Sequence, residues 1–148
     1  MKIYALNINQ TISSPLFNRL LSFVSDERRK KINKFVREED ADRALAADIL
    51  LREALIENFK IQNQDILFYY NAYGKPSLIH TPSIYFNISH SGDWVVCAIN
   101  DYEVGIDVEK TENIDFDIAK SFFLKKNIWT SWKKLLQKRK NTSMIYGH

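Results

Sequence analysis

Apolar side chains recur along the first hundred residues with two periods, and the switches between them mark the elements. Over residues 1–9, Tyr4, Leu6 and Ile8 alternate with Ile3 and Ala5, a period of two that predicts a strand. Leu16, Leu20 and Phe23 then fall at helical spacing and predict a helix over 15–23. Ser25-Asp26-Glu27 supplies a cap and an acidic first turn for a second helix carrying Arg28, Arg29, Lys30 and Lys31. Ala41, Leu45, Ile49 and Ile56, flanked by Leu51 and Leu55, predict a long amphipathic helix over 39–59. The period then returns to two, predicting strands at 65–70, 84–88, 94–100 and 104–109. Asn71-Ala72-Tyr73-Gly74-Lys75-Pro76 is turn chemistry, and Ser91-Gly92-Asp93 and Asn100-Asp101 separate the last strands closely enough to make them antiparallel neighbours. A further helix is expected over 114–123. The fold class is therefore α+β, a mostly antiparallel sheet with packed helices.

A chain of 148 residues, 45% hydrophobic and 26% charged, suffices for one domain with a sizeable core. No apolar run is long enough to span a bilayer, and the start turns polar at once, unlike a signal peptide. Cys97 is the sole cysteine and lies in an apolar run, so a buried structural thiol and a reducing, cytoplasmic location are expected. The net charge of +3 conceals an asymmetry. Of 21 basic groups, 14 precede Lys125 alongside all 18 acids, while seven crowd between Lys125 and Lys140. The body is mildly acidic and its tail basic, so whole-chain charge names no partner for the body.

Three segments offer chemistry. In Gly105-Ile106-Asp107-Val108-Glu109-Lys110 an extended backbone projects Asp107 and Glu109 from one face and Ile106 and Val108 from the other. Adjacent carboxylates repel unless a cation sits between them, and Mg²⁺ suits such a pair together with substrate phosphates. A solvated acidic strand face would look the same. In Phe86-Asn87-Ile88-Ser89-His90-Ser91-Gly92 a strand ends in a small, polar, Gly-terminated loop, whose hydroxyls, backbone N–H groups and imidazole are suited to phosphate oxygens. A hydrogen-bonded structural histidine is the plainer account of His90 alone. Neighbouring strand positions face opposite ways, which makes a Ser89–His90 nucleophilic pair awkward. Arg28 to Lys31, Lys34 and Arg37 make a basic face that is either a solvated helix surface or a phosphate clamp, and Lys75 sits on a rigid turn.

Taken in order, these segments resemble the Sfp-type 4′-phosphopantetheinyl transferases over about residues 1–123. The resemblance rests on the Met-Lys-Ile-Tyr start, Lys31, Glu39-Asp40-Ala41 with Arg43, Tyr73-Gly74-Lys75-Pro76, the Phe86–Gly92 segment with Trp94, Gly105 through Thr111, and Ile118-Ala119-Lys120 with Phe122-Phe123. It implies Mg²⁺-dependent transfer of the phosphopantetheine arm of coenzyme A to a serine of a carrier protein, with release of 3′,5′-ADP. The implied partners are apo carrier domains of peptide, polyketide or fatty-acid synthetases, with neither membrane nor nucleic acid. By the same resemblance Asp107 and Glu109 are catalytic metal ligands facing the coenzyme A pyrophosphate. Ser89 and His90 contact phosphates, Lys75 lines the nucleotide, and Arg28 and Lys31 clamp the 3′-phosphate. Arg28 stands where a lysine is common, and Ala44 where relatives can carry a hydroxyl. The family fold has two similar halves, which implies a first half at 1–103, the start of the second with its metal-binding strand at 104–123, and a non-native or disordered basic tail at 124–148.

The resemblance implies a third acidic ligand and a Trp-x-x-Lys-Glu-Ser segment further on, and residues 124–148 hold neither. Two other readings follow: a non-catalytic remnant that still binds coenzyme A, and a basic-tail module for anionic membrane or nucleic acid, with Ile128, Trp132 and Leu135 at helical spacing. Back-translated one frame over, Lys126 to Trp132 reads Lys-Glu-Tyr-Met-Asp-Phe-Met, and Ser143 to His148 can read Tyr-Asp-Leu-Trp-Ser. Both fit the family just before its Lys-Glu-Ser segment, so a frameshift near the codon for Leu124 is expected. Sequencing the gene tests this: the shifted frame should run on open through a Lys-Glu-Ser codon series, and an early stop there overturns it.

Overall fold

The computed structural model describes residues 1–109. Strand β1 (Lys2–Asn7) is followed by helices α1 (Ser14–Leu21), α2 (Asp26–Ile32) and α3 (Glu38–Phe59), and by a 3₁₀ turn at Asn63–Asp65. Strands β2 (Phe68–Tyr70), β3 (Pro76–Leu78), β4 (Tyr85–Ser91) and β5 (Trp94–Asn100) complete it. These are an α+β set, with every strand pair antiparallel. The strands divide into a three-stranded sheet of order β1-β5-β4 and a separate β2-β3 hairpin.

β5 carries no charge and is buried from Val95 to Asn100, as a central strand covered on both faces should be. Its register sets the two faces of the sheet. Tyr4, Leu6, Val95, Cys97, Phe86 and Ile88 share the face on which α3 packs. Ile3, Ala5, Val96, Ala98, Asn87 and Ser89 share the other. The alternation of β1 is thereby resolved in favour of the Tyr4–Leu6 set, both of which are buried. Cys97 is fully buried as expected, and burial pushes its thiol up to about 12.

Ser25 caps α2, its hydroxyl accepting from the Arg28 N–H at 3.2 Å, with Asp26 and Glu27 in the first turn. α3 departs from its predicted amphipathic character. From Ala44 to Arg52 every residue is buried, because the sheet covers one side of the helix and α1 and α2 pack on it as well. Two charged residues are drawn in with it. Asp48 accepts from Arg52 Nε at 2.6 Å and pairs with Arg28 Nε at 3.3 Å. Arg52 donates onward to the backbone carbonyl and side chain of Asn63, at 3.3 and 3.1 Å, and its guanidinium lies 5.7 Å from the Phe68 ring. At the start of α3, Asp42 accepts the Ile12 N–H at 3.0 Å, while burial pushes its carboxyl above the usual range.

Four other expectations need correction. The strand predicted at 84–88 runs on to Ser91, so Ser89 and His90 stand in β4 and not in a loop, because their backbones pair with Val96 and Val95 of β5. The strand predicted at 65–70 begins only at Phe68, because the 3₁₀ turn takes Asn63–Asp65. β3, folded directly out of the turn, was hidden by its Pro and by its length of three residues. Residues 104–109 form no strand, since the Ile106 and Val108 amides go to side chains rather than to a backbone ladder. The helix expected over 114–123 and the tail lie outside the described residues.

Arg52 is 2% exposed and closes the Asp48 pair. Replacing it with methionine leaves Asp48 a single, half-exposed cation, so Arg52→Met should cost about 3 kcal/mol in urea unfolding. Asp48→Asn in the same chain should recover part of that loss.

Candidate functional site

Two neighbourhoods collect the residues singled out by the sequence. The first is built on the α2–hairpin contact. Lys31 pairs with Glu27 at 2.9 Å and lies over the Tyr70 ring, 4.4 Å from its centroid. Tyr70 is paired across the hairpin with Pro76, so Lys31 packs on the hairpin whose turn carries Lys75. The turn presenting Lys75 is self-supporting. Asn71 Oδ1 accepts the N–H groups of both Tyr73 and Lys75 at 2.9 Å, and Gly74 takes the positive φ of 78° that the turn requires. Arg28 lies one helical turn before Lys31 but is drawn towards α3, with Nε on Asp48 and Nη2 3.4 Å from the Ala44 carbonyl.

The second neighbourhood lies where β4 meets residues 104–109. Ile106 N donates to Asn87 Oδ1 at 3.0 Å and Val108 N to Ser89 Oγ at 3.1 Å. The Ser89 hydroxyl in turn donates to Asp107 Oδ1 at 3.0 Å. The predicted alternation holds here without a strand: Ile106 and Val108 are half-buried, and Asp107 and Glu109 are exposed. A cavity of about 320 Å³ lies beside the hairpin, with Lys75, Pro76 and Tyr69 on the hairpin side and Tyr85, Glu103 and Val104 opposite; of the candidate residues Lys75 lines it. A cavity of similar size, about 310 Å³ between α1 and the start of α3, holds none of the candidate residues.

His90 stands apart from Ser89. It is exposed on the α3 side of β4, next to the two-residue turn at Gly92-Asp93, whose Gly92 carbonyl receives Arg43 Nη1 at 3.3 Å. Arg43 is itself held by Asp40 at 2.6 Å. Thus Lys31 packs on the hairpin that carries Lys75, Arg28 turns to Asp48, Ser89 and Asp107 bond directly, and His90 occupies the opposite sheet face. Sequence reasoning missed Tyr70 under Lys31, Glu103 in the cavity wall, and the use of Asn87 as an acceptor. The first two are contacts between distant elements with no local signal. Asn87, two residues before Ser89, shares its face and could have been paired with it by periodicity alone.

Among the described residues no group of three or more His, Cys, Asp or Glu side chains gathers. The chain described here thus offers two exposed carboxylates on one side of an extended segment. Such a donor set fits a hard divalent cation that keeps water and draws further oxygens from a phosphorylated substrate.

Comparison with known proteins identifies the family. Residues 11–101 match the family model described as 4′-phosphopantetheinyl transferase, N-terminal. The chain belongs to the 4′-phosphopantetheinyl transferase family. It is 40% identical over 146 residues to 4′-phosphopantetheinyl transferase Sfp of Bacillus subtilis (strain 168), an alignment covering 99% of this chain and 63% of that protein. That alignment extends beyond the 1–123 span marked by the motifs. The 4′-phosphopantetheinyl transferase gsp of Aneurinibacillus migulanus is 43% identical over 118 residues, 80% of this chain and 49% of the relative. The L-aminoadipate-semialdehyde dehydrogenase-phosphopantetheinyl transferase of Mus musculus is 33% identical over 138 residues, 84% of this chain and 44% of the relative. The chain therefore spans less than two thirds of the length of these relatives.

The Asn71 turn can be tested by itself. Asn71→Ala removes the acceptor for two exposed amides and should lower stability by about 1 kcal/mol. Asn71→Asp keeps the acceptor and should stay within ~0.5 kcal/mol of the parent in urea unfolding.

Proposed function

We propose that the chain acts in Mg²⁺-dependent transfer of the 4′-phosphopantetheine arm of coenzyme A to a carrier-protein serine. The observation that carries this reading is the pair of exposed carboxylates, Asp107 and Glu109, on one side of a segment that Asn87 and Ser89 hold to β4. Family membership supplies the reaction class, and the cationic residues supply a place for an anionic nucleotide.

In this reading the serine oxygen attacks the pyrophosphate phosphorus that bears the pantetheine arm. A phosphorus–oxygen bond forms to serine, the bridging bond to the adenosine side breaks, and 3′,5′-ADP leaves. The serine proton passes to a base that the described residues do not identify. Asp107 and Glu109 would hold Mg²⁺, which when bound neutralises charge developing on the pyrophosphate. Lys31, on α2 against the hairpin, and Lys75, on the hairpin turn, orient the nucleotide through its phosphates. Arg28, with Nε on Asp48 and Nη2 on the Ala44 carbonyl, contributes through Nη1. His90, on the far sheet face, serves a phosphate only if the ligand wraps round the end of β4. The relatives named above are transferases by name, and carrier domains as partners and a cytoplasmic setting are part of the same proposal.

Intact mass of an apo carrier protein incubated with the full chain, coenzyme A and Mg²⁺ tests it. The carrier should gain one phosphopantetheine arm, and Asp107→Ala should slow this by roughly 10²-fold or more, the scale of losing one electrostatic stabiliser. No gain, under conditions in which a full-length relative modifies the same carrier, overturns transfer. Retained coenzyme A binding would then favour the non-catalytic remnant.

A further inference from the structure

We propose that Asn87 and Ser89 are positioning residues that fix the register of residues 106–108, and that Ser89 aims the Asp107 carboxylate. The second part rests on the reading of Asp107 as a metal ligand, and the first does not.

Asn87 and Ser89 are two apart on β4 and share one face, so their side chains repeat at about 6.6–6.8 Å. The amides of Ile106 and Val108 are also two apart and repeat at the same spacing in an extended chain. Each is taken by one side-chain oxygen, at 3.0 and 3.1 Å. The two acceptors thus work as a template of fixed pitch. A slip of one residue would turn Asp107 and Glu109 onto the side where Ile106 and Val108 are half-buried. It would also bury two carboxylates, so the template and the hydrophobic pattern enforce the same register.

Ser89 adds direction. A hydroxyl has a single proton, and its oxygen already accepts the Val108 N–H. That proton goes to Asp107 Oδ1 at 3.0 Å. One carboxylate oxygen is thereby tethered, and the other is left to face outward beside Glu109. A hydrogen-bonded partner of this kind sets the orientation of a metal-binding carboxylate.

The test uses the full chain with Ser89→Ala, Ser89→Thr and Asn87→Ala. Amide hydrogen exchange is followed by NMR, and Mn²⁺ binding by electron paramagnetic resonance in the presence of coenzyme A. Ser89→Ala should speed exchange at Val108 about five- to tenfold, and Asn87→Ala should do the same at Ile106. Ser89→Ala should also weaken Mn²⁺ roughly 10-fold or more, and Ser89→Thr, which keeps the hydroxyl, should restore both signals. Unchanged exchange at Val108 in Ser89→Ala overturns the template. Faster exchange with unaltered Mn²⁺ affinity overturns the aiming of Asp107. Weaker coenzyme A binding without metal, with exchange and Mn²⁺ affinity intact, returns Ser89 to the phosphate. If the parent chain binds no Mn²⁺, or Asp107→Ala binds it as well as the parent, the metal reading itself fails and the exchange data alone decide on the register.

Discussion

A carboxylate in the middle of a helix buried on every side has to be matched by cations, and Asp48 is that carboxylate. Its two oxygens take Arg52 from the next turn of α3 and Arg28 from α2. Arg52 then reaches Asn63 and lies against Phe68, so one charge joins α2, α3, the 3₁₀ turn and the hairpin. Desolvating these groups costs several kcal/mol per ion, and the hydrogen bonds offset that cost only while the geometry holds. The network therefore specifies how the hairpin sits on the helix more than it adds to net stability. Because Lys75 rides on that hairpin and Arg28 is one of the anchors, the cationic side of the site inherits its placement from a buried acid.

The acidic side is placed by different means. β5 is buried on both faces, and β4 is its outer neighbour, with hydrogen-bonding side chains on the face away from α3. Residues 104–109 are held to that face by side-chain oxygens instead of a backbone ladder. An extended segment tied in this way keeps the alternation of a strand, so its carboxylates point outward, without being a member of the sheet. The outcome is a hairpin anchored through buried charge and a segment registered by two hydrogen bonds, with a cavity of about 320 Å³ between the hairpin and Tyr85, Glu103 and Val104. Ligand sites are commonly found in such clefts between separately supported elements.

Much of this was legible in the order of residues. Short-range periodicity and capping are local properties, so β1, α1, α2, α3 and β5 could be placed from spacing, and Asp107 and Glu109 could be set on one side by alternation alone. The family motifs then named the candidate residues, and the turn chemistry around Gly74 foretold how Lys75 is presented. Tertiary structure decided the rest. Whether α3 keeps a polar face depends on how many neighbours cover it, which no helical period encodes. Whether residues 104–109 pair as a strand depends on which groups claim their amides, and Asn87 and Ser89 lie nearly twenty residues away in the chain. Arg28 and Lys31 look equivalent as two cations on one helix, yet packing turns one to a buried acid and lays the other over an aromatic ring. The sequence by itself determined which side chains could bind an anion or a cation, because that is a property of each residue; which were left facing outward was decided only by burial and by competition for hydrogen bonds within the folded chain.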